Sequence, residues 1–220
     1  MSEKNEEIKT NIYENDYHLD HHPYKCKCLL DEEAQVVGVY DLAKFVLEDE
    51  EFLKCSGSGY EGHHHYGHYG LLTHTAEVVL SCMKMKDFYK KNIDGKVLFL
   101  AALFHDSGKT KDYKEIVYYC SSSIERPIWE VTDHKHKIHH ITGSVLIWNK
   151  ALDEYEKKNR SKKKSLEYLR EQVTHCILSH HGRKEWRSPV PPQSAEAWIL
   201  HTMDTLSARY DDYKTNERED

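Results

Sequence analysis

The chain has 220 residues, of which 31 are Lys or Arg and 37 are Asp or Glu, so its formal net charge is −6 at pH 7. This balance argues against a protein that binds nucleic acid through bulk positive charge, although it leaves room for a local basic groove. The longest apolar run covers residues 97–104, far short of the roughly 20 residues that a membrane-spanning helix needs. A polar start and six scattered cysteines predict a cytoplasmic protein with reduced thiols and no secretory signal.

The hydrophobic pattern predicts an all-α protein. Residues 1–35 are polar and lack a sustained period, so we expect an N-terminal arm there, and residues 213–220 are expected to form a polar tail. Between them, residues 36–212 are predicted to form one domain. Apolar residues at helical spacing predict helices over about 36–53, 71–86, 97–106, 141–155, 166–181 and 195–210. Residues 110–138, rich in tyrosine and β-branched types, are expected to form a short irregular insertion or hairpin.

Histidine is the unusual component of the composition. There are 17 histidines, several times an ordinary share, and neutral imidazole is the commonest metal ligand in proteins. His105 and Asp106 follow directly after the apolar helix, where an unpaired imidazole and carboxylate would be costly to bury. A divalent ion would pair with both. Each of the other core helices adds a ligand type, in the order His74, His139–His140, His180–His181 and Asp204. The pattern therefore predicts a metal centre.

Helical phase separates neighbouring candidates. At about 100° per residue, His180 falls at the centre of the apolar face of its helix, and His181 lies about 100° round it. We therefore predict His180 as a ligand and place His181 in the pocket or at a second ion. Asp204 shares the phase of the apolar residues one turn before it and is predicted to face inward. His139 and His65, the latter in a His-rich segment, are expected to border the same pocket or to serve a second ion.

Cationic residues near these ligands predict a substrate that carries phosphate. Lys109 follows Asp106 by three residues, where its ammonium group can meet the charge that develops on a phosphoryl group. Asp106 and Lys109 are therefore the predicted catalytic residues. Arg183, Arg187 and Arg209 are candidates for further phosphate contacts.

The order of these residues resembles the HD-domain superfamily of metal-dependent phosphohydrolases, and within it the HD domain of the YhaM-type 3′→5′ exoribonucleases. The resemblance covers about residues 36–212. It is carried by the stretches His63–His65, Gly70–Thr75, His105–Lys109, His140–Gly143, Leu178–Gly182, Ser188–Val190 and Ile199 through Asp204 to Arg209. It implies a helical HD-domain bundle in which one ion is held by His74, His105, Asp106 and Asp204. Asp106 would bridge to a second ion held by His140 and His180.

The resemblance also implies a function. The first hypothesis is a metal-dependent phosphodiesterase that acts as a 3′→5′ exonuclease on single-stranded RNA or DNA, with a water molecule activated by two ions. The donor set suits manganese or iron, with nickel or magnesium as further options. About 35 residues precede the first predicted core helix, too few for the oligonucleotide-binding barrel of YhaM-type proteins. We therefore expect a homo-oligomer or a separate nucleic-acid-binding partner.

Three alternatives remain open at this stage. The missing barrel and the acidic net charge favour a phosphohydrolase of small nucleotides, cyclic or linear. The same His/Asp ligands could hold the iron pair of an HD-type oxygenase. A non-catalytic nucleic-acid-binding module is the third alternative, and it predicts binding that survives loss of Asp106.

Overall fold

The computed structural model describes residues 22–90, 92–117, 127–159 and 163–217. Within these residues the fold is helical with one two-stranded sheet, as the sequence predicts. In chain order the elements are α1 (Pro23–Val37), α2 (Tyr40–Leu47), α3 (Glu50–Lys54), α4 (Gly70–Tyr89), α5 (Gly95–Phe104), α6 (Lys109–Asp112), β1 (Tyr113–Val117), β2 (Pro127–Val131), α7 (Asp133–Lys137), α8 (His140–Lys158), α9 (Lys163–Ser179), a 3₁₀ turn (Lys184–Trp186) and α10 (Ala195–Glu217). In the described part of the chain, no helix is both long and apolar enough to cross a bilayer.

Helix α5 forms the centre of the domain, because every residue from Val97 to Phe104 is buried. It begins at Asp94, whose side chain accepts hydrogen bonds from the backbone N–H groups of Lys96 and Val97. Helices α4, α8, α9 and α10 pack around it. Burying one large apolar side chain stabilises a fold by about 1.5–3 kcal/mol, so an all-apolar helix is favoured at this central position. The residues that follow Phe104 consequently emerge in the middle of the bundle.

The N-terminal region differs from the prediction. Helix α1 lies largely inside the predicted arm, and it buries Cys26, Leu30 and Ala34 while packing against α4. These three residues are spaced at i, i+4 and i+8, but the charged residues between them left too narrow an apolar stripe for the pattern to be recognised. Residues 1–21 lie outside the described residues.

The helix predicted over 36–53 is interrupted. Gly38 ends α1 in the left-handed conformation, with φ 77°, and Glu48 ends α2. Helix α3 then starts at Asp49, whose carboxylate accepts a hydrogen bond from the backbone N–H of Glu51 at 2.9 Å. At the other end of the chain, α10 continues to Glu217, so helix replaces part of the predicted tail.

The segment predicted as an insertion contains a hairpin. Strands β1 and β2 are antiparallel, with Tyr113 opposite Val131 and Ile116 opposite Ile128. Residues 118–126 between the strands lie outside the described part. Helix α7 follows β2 and returns the chain to the start of α8, which places His140 beside the end of α5.

Candidate metal centre

The six predicted ligands lie close together around the residues that follow α5. His74 lies in the second turn of α4, His105 and Asp106 follow α5, and His140 begins α8. His180 follows α9 directly, and Asp204 lies near the middle of α10. The five residues other than Asp204 are buried, and the Asp204 side chain is 13% exposed.

Close packing at Gly108 brings α8 to this point. The backbone N–H of Gly108 donates to Ser144 Oγ at 2.9 Å. A Cβ atom on Gly108 would lie 2.3 Å from the carbonyl oxygen of His140, so any larger residue would push the two segments apart. Glycine at this position therefore permits the approach of His140 to Asp106.

Asp106 faces two different groups of histidines through its two carboxylate oxygens. Oδ2 lies 3.4 Å from His74 Nε2 and 3.3 Å from His105 Nε2. Oδ1 lies 3.4 Å from His140 Nε2 and 3.7 Å from His180 Nε2. Neighbouring ligands that lie about 2.1 Å from one ion are separated by about 3.0–3.4 Å. The observed spacings are close to those of ligands arranged around a common cation.

The ligand atoms form two sets within which all atoms lie within 4.8 Å of one another. One set contains His74, His105, Asp106 and Asp204, and the other contains His140, His180 and His181. In the first set, Asp204 Oδ1 is 3.1 Å from His74 Nε2 and 3.5 Å from His105 Nε2. The second set includes His181, which helical phase placed at the pocket or at a second ion. Asp106 belongs to the first set, and its Oδ1 atom faces His140 and His180 of the second.

Backbone carbonyl groups fix the tautomers of three of these histidines. The Nδ1–H groups of His105, His180 and His181 donate to the carbonyl oxygens of Ala102, Ile177 and Trp186 at 2.7, 2.6 and 2.7 Å, respectively. Because a carbonyl oxygen only accepts, Nδ1 must carry the proton. The lone pair of each neutral ring is therefore on Nε2, the atom that a metal ion would bind.

Side chains lie beside the Nδ1 atoms of the other two histidines. His74 Nδ1 lies 3.0 Å from Ser207 Oγ, and this hydroxyl group donates to Glu77 Oε2 at 2.6 Å. His140 Nδ1 lies 3.3 Å from Asp112 Oδ2, which also accepts the backbone N–H of His140 at 2.9 Å.

Glu77, Ser207 and Asp112 were not predicted from the sequence. Of these three residues, only Glu77 could have been suggested by the local sequence, because it lies one helical turn after His74 and therefore on the same helix face.

Buried atoms without hydrogen-bond partners provide an independent test of metal binding. Asp106 Oδ1, His140 Nε2 and His180 Nε2 are all buried, and none has a hydrogen-bond partner within the described ranges. Buried polar atoms in folded proteins are nearly always paired. These three atoms face one another, so one cation would satisfy all of them. The residues present therefore fit a metal ion.

Comparison with known families agrees with this geometry. The family model described as the HD domain matches residues 71–209, which is more than half of the chain. The chain belongs to the HD-domain family of metal-dependent phosphohydrolases. The family expected from the sequence is thus confirmed.

Curated relatives of this HD domain are exoribonucleases. The 3′-5′ exoribonuclease YhaM of Bacillus subtilis (strain 168) is 33% identical over 149 residues, which cover 66% of this chain and 40% of the relative. The proteins of the same name from Bacillus velezensis and Bacillus licheniformis are each 31% identical over 150 residues, with the same coverage. The chain therefore spans about two fifths of the length of the curated relatives it matches. No solved structure matches it.

The electrostatics of the HD-domain site favour positive charge at its centre. Burial lowers the pKa of His105, but the nearby carboxylates of Asp106 and Asp204 outweigh this effect and raise it to about 10. The pKa values of both carboxyl groups lie well below their usual range. Burial opposes this shift, but Lys109 and the imidazoles outweigh burial at Asp106, and mainly the imidazoles of His105 and His74 do so at Asp204. A site that holds a proton this tightly between two carboxylates is suited to a cation.

Lys109 is held inside the site. Its Nζ atom lies 2.7 Å from Asp106 Oδ2 and donates to the carbonyl oxygen of Gly57 at 2.8 Å. Burial opposes its charge, but the neighbouring Asp106 carboxylate raises the pKa of Lys109 above its ordinary value. The side chain is therefore a fixed cation beside the shared carboxylate.

The remaining predicted residues lie around this centre. His65 is buried, its Nε2 atom lies 3.1 Å from Glu77 Oε2, and its ring is 5.0 Å from that of His74. The His139 ring lies 4.1 Å from the ring of His140. Both histidines lie beside the site, and their role in it stays a prediction.

The three predicted arginines lie farther out. The Arg209 side chain is 79% exposed and lies 3.7 Å from Asp212. The Arg183 guanidinium lies 5.1 Å from the centre of the Trp186 ring, and Arg187 is exposed. Their phosphate-binding role stays a prediction.

Proposed function

We propose that this protein is a metal-dependent phosphodiesterase that removes nucleotides from the 3′ end of single-stranded RNA or DNA. The observation that supports the proposal is that Asp106 directs separate carboxylate oxygens at two sets of histidine Nε2 atoms. Divalent ions bound by these sets, with a mixed N/O donor set that suits Mn²⁺ or Fe²⁺, supply Lewis-acid polarisation of a phosphoryl group and activation of water.

The protein's own contribution is pre-organisation. Hydrogen bonds to Nδ1 fix four of the five imidazoles, those of His74, His105, His180 and His181, in one tautomer, so that little reorganisation is needed when a substrate binds. Lys109 is anchored by Asp106 and by the carbonyl oxygen of Gly57. It places a permanent positive charge where the oxygens of a reacting phosphate gain negative charge.

Exposed aromatic residues beside the centre favour a single strand over a small nucleotide. The carbonyl oxygen of Trp186 accepts a hydrogen bond from His181, and the Trp186 side chain is nevertheless 49% exposed. Trp198 is 55% exposed, and both indole rings lie about 6 Å from the ring of His201. Bases of single-stranded nucleic acid stack on such surfaces, at about 1–3 kcal/mol per base. The exoribonuclease names of the relatives support the same substrate class.

The test is a strand-degradation assay with 5′-labelled single-stranded RNA and DNA. Wild type is compared with Asp106→Asn, which keeps the shape of the side chain but removes its charge, with Mn²⁺ present or chelated. The matched control is Asp87→Asn, because Asp87 is an exposed aspartate near the far end of α4. We expect wild type and the control to give a ladder of labelled products shortened from the 3′ end only when metal is present. Asp106→Asn should be at least about 10³-fold slower, since it disturbs both ligand sets.

If the strands stay intact although metal is bound to the protein, the proposed exonuclease activity is refuted. Hydrolysis of free cyclic or linear nucleotides alone would point to the small-nucleotide alternative. Oxygen consumption with an iron-loaded protein would point to the oxygenase.

A further inference from the structure

A basic cleft of about 370 Å³ lies beside the candidate metal centre. It is bounded by α7, by the start of α8 and by the segment that follows the 3₁₀ turn. Its cationic lining consists of Lys135, Lys137 and Arg187, and none of the described lining residues is acidic. His139 also lines the cleft, and its ring is 4.1 Å from that of His140. A ligand in the cleft would therefore lie next to one bound at the metal centre.

No strong ion pair with a described residue offsets the lysines and the arginine of the cleft. Lys135 donates a hydrogen bond to the neutral Tyr113 hydroxyl group at 2.9 Å, which leaves its positive charge uncompensated. Lys137 pairs with Asp133 at 2.7 Å, but both side chains are strongly exposed, and such pairs contribute little. Arg187 forms no ion pair with any of the described residues. In a chain with a net charge of −6, this concentration of cations is a local exception that favours an anion.

The backbone of Arg187 is in an unfavourable conformation. Its φ of 71° lies in the left-handed region, where glycine is preferred. The conformation closes the 3₁₀ turn through a hydrogen bond from the Arg187 N–H to the carbonyl oxygen of Lys184 at 2.9 Å. Glycine would satisfy this turn without strain, whereas arginine adds a guanidinium group on the cleft wall. Strained residues of this kind tend to be retained at functional sites.

We propose that the cleft binds the backbone phosphate that neighbours the scissile one, on its 5′ side. This inference rests on the proposed exonuclease function. When the 3′-terminal nucleotide is removed, the scissile phosphate lies at the metal centre, and the next phosphate of the strand can lie only on the 5′ side. Guanidinium and ammonium groups are the side chains that recognise phosphate. The cleft thus selects substrates that carry a second phosphate.

Two dinucleotides that differ by one phosphate test this proposal. The diuridine UpU contains only the scissile phosphate, and its 5′-phosphorylated form pUpU adds the neighbouring one. If the strand assay shows that only DNA is cleaved, TpT and pTpT replace them. We expect wild type to have at least about 10-fold higher kcat/KM for the phosphorylated form, since a hydrogen bond to a charged group contributes about 1.5–3 kcal/mol.

Arg187→Gly and Lys137→Gln are the test variants. Both remove a cation from the cleft, and the first also suits the left-handed backbone, so folding is preserved. Each should reduce the preference for the 5′-phosphate several-fold. Lys184→Ala is the matched control, because Lys184 is an exposed cation of the same segment that does not line the cleft. It should keep the wild-type preference.

A binding measurement separates this proposal from the catalytic one. Fluorescence anisotropy with labelled oligouridine and metal-free protein in chelator gives Kd as a function of salt. Each lost phosphate contact should reduce the slope of log Kd against log salt by about 0.7. Arg187→Gly should show this reduction, and Lys184→Ala should not.

The outcomes are distinguishable. Cleavage of both dinucleotides at equal rates would refute phosphate binding by the cleft but would leave the proposed exonuclease activity intact. Absence of cleavage together with an Arg187-dependent salt slope would refute the exonuclease and the assignment of the phosphate as the neighbour of a scissile one, and would leave only phosphate binding by the cleft. An Arg187→Gly variant that keeps the wild-type preference for the 5′-phosphate and the wild-type salt slope would refute phosphate binding by the cleft.

Discussion

Asp112 should control the affinity of one of the two ligand sets. Its buried carboxylate accepts the backbone N–H of His140 through Oδ2 and lies 3.3 Å from the Nδ1 atom of the same residue. The other oxygen, Oδ1, accepts from His134 Nδ1 at 2.7 Å. Replacement by Asn keeps the shape of the side chain and removes its negative charge. We therefore expect Asp112→Asn to weaken metal binding at the set that contains His140.

The magnitude follows from these contacts. In the Asp112→Asn variant, the new amide oxygen can still accept from His140, while the amide NH₂ group faces His134, which is 27% exposed and can change tautomer. The hydrogen bonds are thus kept, and only their charge-assisted part is lost, which is about half of their strength. This corresponds to about 1.4 kcal/mol, or a 10-fold loss of affinity, at the lower end of the range seen when partners of ligating histidines are changed.

Isothermal titration of the metal-free protein with Mn²⁺ is the assay. Wild type should show two binding events, and Asp112→Asn should weaken one of them about 10-fold while the other is kept. Ser207→Ala is the matched control, since Ser207 is the hydrogen-bond partner of His74 in the other set. It should weaken the opposite event. Equal weakening of both events by Asp112→Asn, or of neither, would refute the assignment of Asp112 to one set.

Three further predictions concern pH, metal removal and packing. Because the pKa of His105 is raised to about 10, metal binding at pH 7.5 should release about one proton, which titration in buffers of different ionisation enthalpy measures; no release would contradict it. The same shift stabilises the metal-free fold fully below pH 6.5, and this stability is lost as pH rises toward 10. Chelator-treated protein should therefore lose Tm across that range, and a rising Tm would oppose this. Gly108→Ala should cost at least about 2 kcal/mol in urea unfolding, because its Cβ would meet backbone atoms at 2.3 and 2.6 Å. Gly95→Ala, whose Cβ meets only the flexible Lys86 side chain, should be tolerated.

Much of the helical fold was predictable because its signals are local. The all-apolar run from Val97 to Phe104 predicts a central helix, and the structure buries all eight of its residues. The ligand pattern was predictable for the same reason, because His105 and Asp106 are adjacent in sequence and helical phase alone turns His180 inward. Helix α1 was missed because only three apolar residues, Cys26, Leu30 and Ala34, mark its buried face.

The tertiary structure decided how these residues act together. Ser207 and Glu77 are separated by 130 positions, so no periodicity could show that their hydrogen bond orients His74. The basic cleft joins residues from α7 with Arg187, which lies about fifty positions later in the chain. The sequence by itself determined the helical class and the residues capable of binding metal, since local spacing depends on neighbours one or two turns away. Local spacing could not show the sharing of Asp106 between two sets, which the sequence implied only through the family resemblance, because that arrangement requires five separate helices to meet at one point.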